Sequence, residues 1–277
     1  MQSTAAQNSP PSASTLAIQV DGAIATVALD RADKANAMNA PMWDELQAAF
    51  EFCDASEQIR VVILSGHGKH FCAGIDLDML TNIKASGEPA RASEQFRRAI
   101  LRLQSNLSAI ADCRKPVIAA IQGACVGGGL DIVSCADLRY ASKDARFSIK
   151  EVDVGLVADV GSLQRLPRLI GDGLLRELAF TGRMMDADEA LAAGLISAVL
   201  ENHEHLHARV RAVADVVAAK SPLAIRGIKQ TLAYGRDHGL ADSLDYVATW
   251  NSAMLSFEDV HGAIEANRTG AVARFDD

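Results

Sequence analysis

Three carboxylates, Asp131, Glu151 and Asp159, are each set among apolar neighbours instead of in a run of charge, and they follow a glycine triplet, Gly127-Gly128-Gly129. Apolar surroundings lift a carboxyl pKa toward neutrality, which is what a proton-transferring acid or base requires. The glycines end an apolar run, Val117 to Ile121, and an amphipathic segment follows at once. Glycine lets the backbone bend where a side chain would clash, and lets a ligand approach its N–H groups. A helix starting there directs unsatisfied N–H groups and a partial positive charge at whatever sits in front of it. Donors of that kind suit an oxygen that gains negative charge during a reaction. The stretch from 116 to 161 therefore proposes carbonyl polarisation beside acid–base carboxylates.

An earlier stretch is built the same way. The apolar run Val61-Val62-Ile63-Leu64 gives way to Ser65-Gly66 and Gly68, and then to His70-Phe71-Cys72-Ala73-Gly74-Ile75-Asp76. Two strand-to-glycine loops side by side in a sheet can each donate one N–H to a single oxygen, a two-donor oxyanion hole made from backbone alone.

The elements that must hold these loops are legible in outline. Thr15 to Val20 and Ala23 to Leu29 are apolar-rich runs separated by Asp21-Gly22, a hairpin signal. A loop runs from Arg31 to Ala40, and Pro41 suits the first turn of a helix with Met42, Leu46, Phe50 and Cys53 on one face. The continuous run at 61–64 favours a strand covered on both sides. Residues 83–94 are polar and small and read as a mobile loop, and Phe96 to Ala111 has helical spacing. Short helices are expected over 163–181 and 187–193, with stops at Gly171, Gly182 and Gly194, and a strand over 195–200. Helices follow at 206–219, 222–235, 240–254 and 257–267. The expected architecture is an α/β core over 15–200 and a helical region over 201–277, preceded by a disordered tail over 1–14.

At 277 residues and 49% hydrophobic content the chain can bury a sizeable core. A net charge of −8 argues against nucleic acid or an anionic membrane as the main partner. The five cysteines, at 53, 72, 113, 125 and 135, lie in apolar segments without paired spacing, which predicts a reducing compartment and no disulfide framework. No apolar run approaches the roughly 18 residues that span a bilayer. The first 14 residues lack the features of a signal or transit peptide, and the chain ends Arg-Phe-Asp-Asp instead of Ser-Lys-Leu, so the expected location is the cytoplasm.

Longer strings carry a resemblance. Leu29-Asp30-Arg31 with Asn36-Ala37-Met38, Phe71 to Leu77, and Gly127-Gly128-Gly129 resemble the crotonase (enoyl-CoA hydratase/isomerase) superfamily, over about residues 15 to 267. Within it, Lys150 to Leu156 with Ala158-Asp159-Val160-Gly161, Arg236-Asp237-His238 and Tyr246 to Asn251 look most like the Δ3,5-Δ2,4-dienoyl-CoA isomerases. The resemblance implies a crotonase-like spiral of ββα units with a C-terminal helical region. It implies an acyl-CoA thioester whose oxygen is held by the N–H groups of Ile75 and Gly128. Lys34, Ala35, Asn36, Ala37 and Met38, together with Ala73, Gly74, Ile75 and Asp76, are implied to line the CoA groove, largely through backbone. Family members are commonly trimers or dimers of trimers, with the C-terminal helices at the interface. No metal and no cofactor are expected, coenzyme A being part of the substrate.

Hydratases of the superfamily use two glutamates, at the places held here by Asp131 and Glu151. The shorter first carboxylate and the additional Asp159 favour the diene isomerase instead. Moving a 3,5-diene to the 2,4 position removes a proton at C2 and adds one at C6. Those carbons are four bonds apart, about 5 Å in an extended chain, so one carboxylate does not easily reach both. Glu151 is assigned as base at C2, Asp159 as acid at C6, and Asp131 as the group that tunes or orients Glu151. The alternatives are an enoyl-CoA hydratase, a 3,2-enoyl-CoA isomerase, and a non-catalytic acyl-CoA- or RNA-binding relative.

Plainer readings stand beside these. The glycines alone suit a tight turn, Asp131 a helix start, and Glu151 and Asp159 ion pairs with Lys150, Arg165 or Arg168. Asp153 is read as a structural ion pair, and Asp76 and Asp78 as caps of the following helix. His203, His205 and His207 are read as a solvated helix start, not a metal site, and Cys72 and Cys125 as packing.

Overall fold

The computed structural model describes residues 9–81 and 88–276. In chain order the first elements are β1 (Leu16–Asp21), β2 (Ile24–Leu29), α1 (Ala40–Ala55), β3 (Val61–Gly66), α2 (Leu77–Thr81), α3 (Pro89–Asp112), β4 (Val117–Ile121) and β5 (Ala124–Val126). They are followed by α4 (Gly128–Ser134), β6 (Leu138–Ser142), β7 (Arg146–Ser148), α5 (Ser162–Arg165), α6 (Asp172–Thr181), β8 (Met185–Asp186), α7 (Ala187–Ala192) and β9 (Val199–Leu200). The helices α8 (His203–Ala218), α9 (Pro222–Asp237), α10 (Leu240–Met254) and α11 (Phe257–Thr269) complete the chain.

β1 and β2 form the expected hairpin around Gly22, and from β2 onward the main sheet is parallel, in the order β1-β2-β3-β4-β6-β9. A second sheet, β5-β7-β8, stands beside it. Successive units place one strand in each sheet, β4 then β5 and β6 then β7, which produces the spiral of strand pairs and helices. An isolated bridge between Cys72 and Cys125 continues the smaller sheet to the loop after β3. That bridge is what sets the two glycine loops side by side.

Both faces of the main sheet are covered, which accounts for the unbroken apolar strands. On one face lie Met42, Leu46, Phe50 and Cys53 of α1, all fully buried with Leu107 and Ile110 of α3. On the other, Leu206, Val210 and Ala214 of α8 pack on Ile24, Val61, Ile63, Ile118 and Ala120. Each of these buried leucine, isoleucine and valine side chains contributes about 1.5–3 kcal/mol by burial. α8 is thus part of the layered core, whereas α10 and α11 bury none of their residues and expose Leu240, Leu244, Phe257 and Ile264.

Several expectations shift. The reading of 83–94 as a mobile loop fails at its end, because α3 begins at Pro89 with Glu88 as its cap, accepting from the N–H groups of Ala90 and Arg91. Residues 83–87 lie outside the described residues. The strand expected over 195–200 shrinks to Val199–Leu200, since Leu195 and Ile196 turn inward as core side chains. At the chain start, the N–H and hydroxyl of Ser14 and of Thr15 all donate to Glu45, so the chain is tied down from Ser14; residues 1–8 lie outside the described ones.

Candidate active site

The loop after β3 is strapped in place by the segment before α1. Arg31 donates to the Ala37 carbonyl and pairs with Asp76 at 3.0 Å. The Asn36 amide donates to the carbonyls of His67 and His70, at 3.0 and 2.8 Å. Met38 N–H donates to Gly74 O, and Asp76 N–H to Met38 O. Along this loop the N–H groups of Phe71, Cys72, Ala73, Gly74 and Asp76 all have partners. That of Ile75 has none among the described residues.

Opposite, Gly127 takes φ +52°, and its N–H donates to Ser148 O at 2.9 Å. A Cβ on Gly127 would stand 3.2 Å from a Glu151 carboxylate oxygen, so glycine both permits the turn and leaves room for that carboxylate. Gly128 opens α4, and its N–H likewise has no partner among the described residues. The two free donors border the same pocket, which is lined by Ala73, Gly74, Ile75, Gly127 and Gly128 and also by Asp131, Glu151 and Asp159. It encloses about 660 Å³, counting the part open to solvent. Its remaining wall is mostly apolar, with Trp43, Leu77, Leu80, Leu103, Val154, Leu156 and Val160.

The three carboxylates differ in depth. Asp131 is fully buried on α4; its Oδ1 accepts from Ser162 N–H at 2.6 Å and Ser162 Oγ at 2.5 Å, and its Oδ2 has no partner. Burial foremost, and also the nearby Glu151 charge, push its pKa up to about 7, against the Ser162 bonds. Glu151 is half-buried at the start of a 3₁₀ turn, one oxygen unpartnered. Burial raises its pKa, and the Asp159 charge adds to that. Asp159, on irregular backbone at the open side, is raised by partial burial. All three depart from the ordinary carboxylate range in the direction that suits proton transfer near neutrality.

The plain ion-pair reading of these acids does not hold. Lys150 pairs with Asp153 at 2.7 Å and Arg168 with Asp237 at 2.9 Å. Arg165 bonds the Val160 carbonyl and Ser108. Asp76 accepts the Asp78 N–H at 3.2 Å as the cap of α2, besides its pair with Arg31. Every N–H from Lys34 to Met38 is donated within the protein, so toward a ligand this segment offers carbonyl lone pairs and the Lys34 side chain. Its expected groove partners Ala73, Gly74 and Ile75 reach the pocket wall. Cys72 and Cys125 are fully buried thiols; burial pushes Cys72 up to about 12 and Cys125 well above the ordinary thiol value, and His70 accepts the Ala124 N–H instead of activating either. His203 contacts Asp144 at 3.1 Å at the start of α8. Trp43, Leu103 and Ser162 escaped the sequence reading; an aromatic residue on the buried face of α1 was the available signal for the first.

The buried Asp131 should leave a mark on stability. Its folded pKa lies above the unfolded value of about 3.9, so the native state holds the proton more tightly. Its contribution is full below about pH 4 and is lost as pH rises through 7. Asp131→Asn cannot ionise, so between pH 5 and pH 8 its melting temperature should fall less than that of the parent. At roughly 2–4 °C per kcal/mol, the divergence should be a few degrees at pH 8. Parallel melting curves across that range would show that Asp131 titrates normally.

Comparison with known proteins gives a consistent picture. Residues 19–268 match the family model described as enoyl-CoA hydratase/isomerase. The chain is 43% identical over 259 residues to a protein of Arabidopsis thaliana named peroxisomal Δ(3,5)-Δ(2,4)-dienoyl-CoA isomerase, covering 92% of this chain and 93% of that one. It is 47% identical over 244 residues to the human protein named mitochondrial Δ(3,5)-Δ(2,4)-dienoyl-CoA isomerase, covering 87% of this chain and 74% of the relative. Among solved structures, an enoyl-CoA hydratase from Bacillus anthracis superposes with a TM-score of 0.87 at 28% identity, over 95% of this chain and 99% of that one. The expected cytoplasmic location is corrected by the same relatives, which are named for peroxisomes and mitochondria; missing address signals carry no weight against them. By fold, motifs and similarity across nearly its whole length, the chain belongs to the enoyl-CoA hydratase/isomerase family.

Proposed function

We propose that the protein is a Δ3,5-Δ2,4-dienoyl-CoA isomerase, and the observation that carries this is Asp159 lining the same pocket as Asp131 and Glu151. The thioester oxygen accepts the free N–H groups of Ile75 and Gly128, which makes the C2 proton acidic and stabilises the dienolate. Glu151 takes that proton, and Asp159 delivers one at C6. For this, one carboxyl must start charged and the other neutral. Two interacting acids can divide those roles, because ionising one raises the pKa of the other; burial raises both Glu151 and Asp159, and the Asp159 charge raises Glu151 further. Asp131, locked by Ser162, sits behind Glu151 as a third acid near its own midpoint. The apolar wall of Trp43, Leu80, Leu103 and Val160 suits a hydrocarbon tail. The reaction moves only protons, so it consumes no redox cofactor.

The test is spectroscopic. A 3,5-dienoyl-CoA has its diene insulated from the carbonyl, and the 2,4-isomer is conjugated with it. Adding the protein should generate a new long-wavelength ultraviolet band. A protein that instead bleached 2-enoyl-CoA by adding water, and left the 3,5-diene unchanged, would be a hydratase.

A further inference from the structure

Asp159 stands on irregular backbone at the open side of the pocket, so something other than a helix or strand must fix it. Gln104, half-buried on α3, donates its side-chain amide to the Asp159 carbonyl at 2.6 Å. One helical turn further on, the Ser108 hydroxyl accepts from Arg165 Nη2 at 3.2 Å, while Arg165 Nη1 donates to the Val160 carbonyl, also at 3.2 Å. Two consecutive carbonyls are thus tied to one face of α3. Gly161 makes this possible: it has φ +135°, and a Cβ there would lie 1.7 Å from Arg165 Nη1. The helix itself is anchored, because Asn106 donates to the Trp43 carbonyl at 2.9 Å and Leu107 and Ile110 are fully buried.

We infer that Gln104 is a positioning residue for Asp159: its amide, working with the Arg165–Ser108 contact, sets where the Asp159 carboxyl stands relative to the far end of the diene. The inference rests on the proposed role of Asp159 as the C6 proton donor. Proton delivery is sensitive to placement, and a 1 Å error can cost on the order of 100-fold. The proton taken at C2 is handled by Glu151, which stands on the 3₁₀ turn at the start of the connection that carries Asp159 and shares no hydrogen bond with Gln104 among the described residues. Loss of the amide should therefore act on one end of the reaction alone.

Gln104→Met keeps the length of the side chain and removes the donor. In deuterated buffer, C2 exchange of the 3,5-dienoyl thioester should stay within about twofold of the parent, while 2,4-diene formation falls about tenfold. Gln104→Glu opposes a carboxylate to the carbonyl and adds a negative charge beside Asp159. It should lower conversion further and move the alkaline limb of the conversion profile to higher pH. Unchanged exchange in the same sample also reports that the fold and the C2 end are intact. A parallel fall of exchange and conversion in Gln104→Met, or no change in either, overturns the positioning role. Asp159→Asn run alongside separates the two claims: if that variant converts normally, the role of Asp159 fails first and the inference with it.

Discussion

Asp159→Asn is expected to separate the two halves of the reaction. The amide matches the carboxyl in shape but cannot deliver a proton, so 2,4-diene formation should fall by on the order of 10²- to 10⁴-fold. The groups assigned to C2, Glu151 with the Ile75 and Gly128 donors, stay in place, and the substitution only removes the Asp159 charge that raises Glu151. Exchange of the C2 proton with deuterated solvent should persist, followed by nuclear magnetic resonance on the recovered thioester. Glu151→Gln gives the contrasting pattern, losing exchange and isomerisation together, because the dienolate never forms. Full conversion by Asp159→Asn would make Asp159 a structural carboxylate and give the lead to a hydratase or 3,2-isomerase reading.

The contrast between these variants depends on depth. Asp131 is enclosed and hydrogen-bonded, Glu151 is half-buried, and Asp159 is reachable from solvent. A donor that must be reloaded after each turnover is best placed at the open side, and a group that only tunes its neighbour is best kept dry. In the proposed reaction, this order would let the Asp159 proton come back from water without passing the dienolate.

What could be read from sequence follows the physics of period and length. The α1 face of Met42, Leu46, Phe50 and Cys53 repeats at helical spacing within a helix of 16 residues, and every one of those side chains is fully buried. β3 and β4 were legible because both of their faces are covered and their apolar runs unbroken. β5, β7 and β8 have two or three residues each, too few for any period to show, yet they bring Gly127 to Ser148. The start of α3 was missed although Pro89 is a first-turn proline, because the polar residues around it outweighed that signal. The carboxylates were found by their apolar neighbours. Their partners were not: Ser162 lies 31 positions from Asp131, and Gln104 lies 55 from Asp159. Contacts at such separations are set by the route of the chain through the fold, and nothing in the local pattern of either residue announces them.

Gly128→Pro carries the second large effect. Proline at the first position of a helix is compatible with the backbone there, because that N–H has no helical partner and the ring's φ is a helical one. The preceding Gly127 has no Cβ for the ring to meet. α4 should therefore form, while the donor assigned to the thioester oxygen disappears. Removal of one oxyanion donor costs about 10²- to 10³-fold in turnover. A new Cβ at Gly128 would stand 2.9 Å from the Met38 sulfur, the flexible end of a buried side chain. Gly128→Ala makes the same contact and keeps the N–H, so it isolates the crowding and should lose far less than the proline variant. The two ends of the reaction should fall together in Gly128→Pro, since both C2 exchange and C6 delivery pass through the same dienolate. Binding of a saturated acyl-CoA, which develops no charge on its oxygen, should weaken only slightly. If Gly128→Pro folds and turns over at the rate of Gly128→Ala, the Gly128 N–H does not hold the oxygen, and the second donor must be sought elsewhere on the pocket wall.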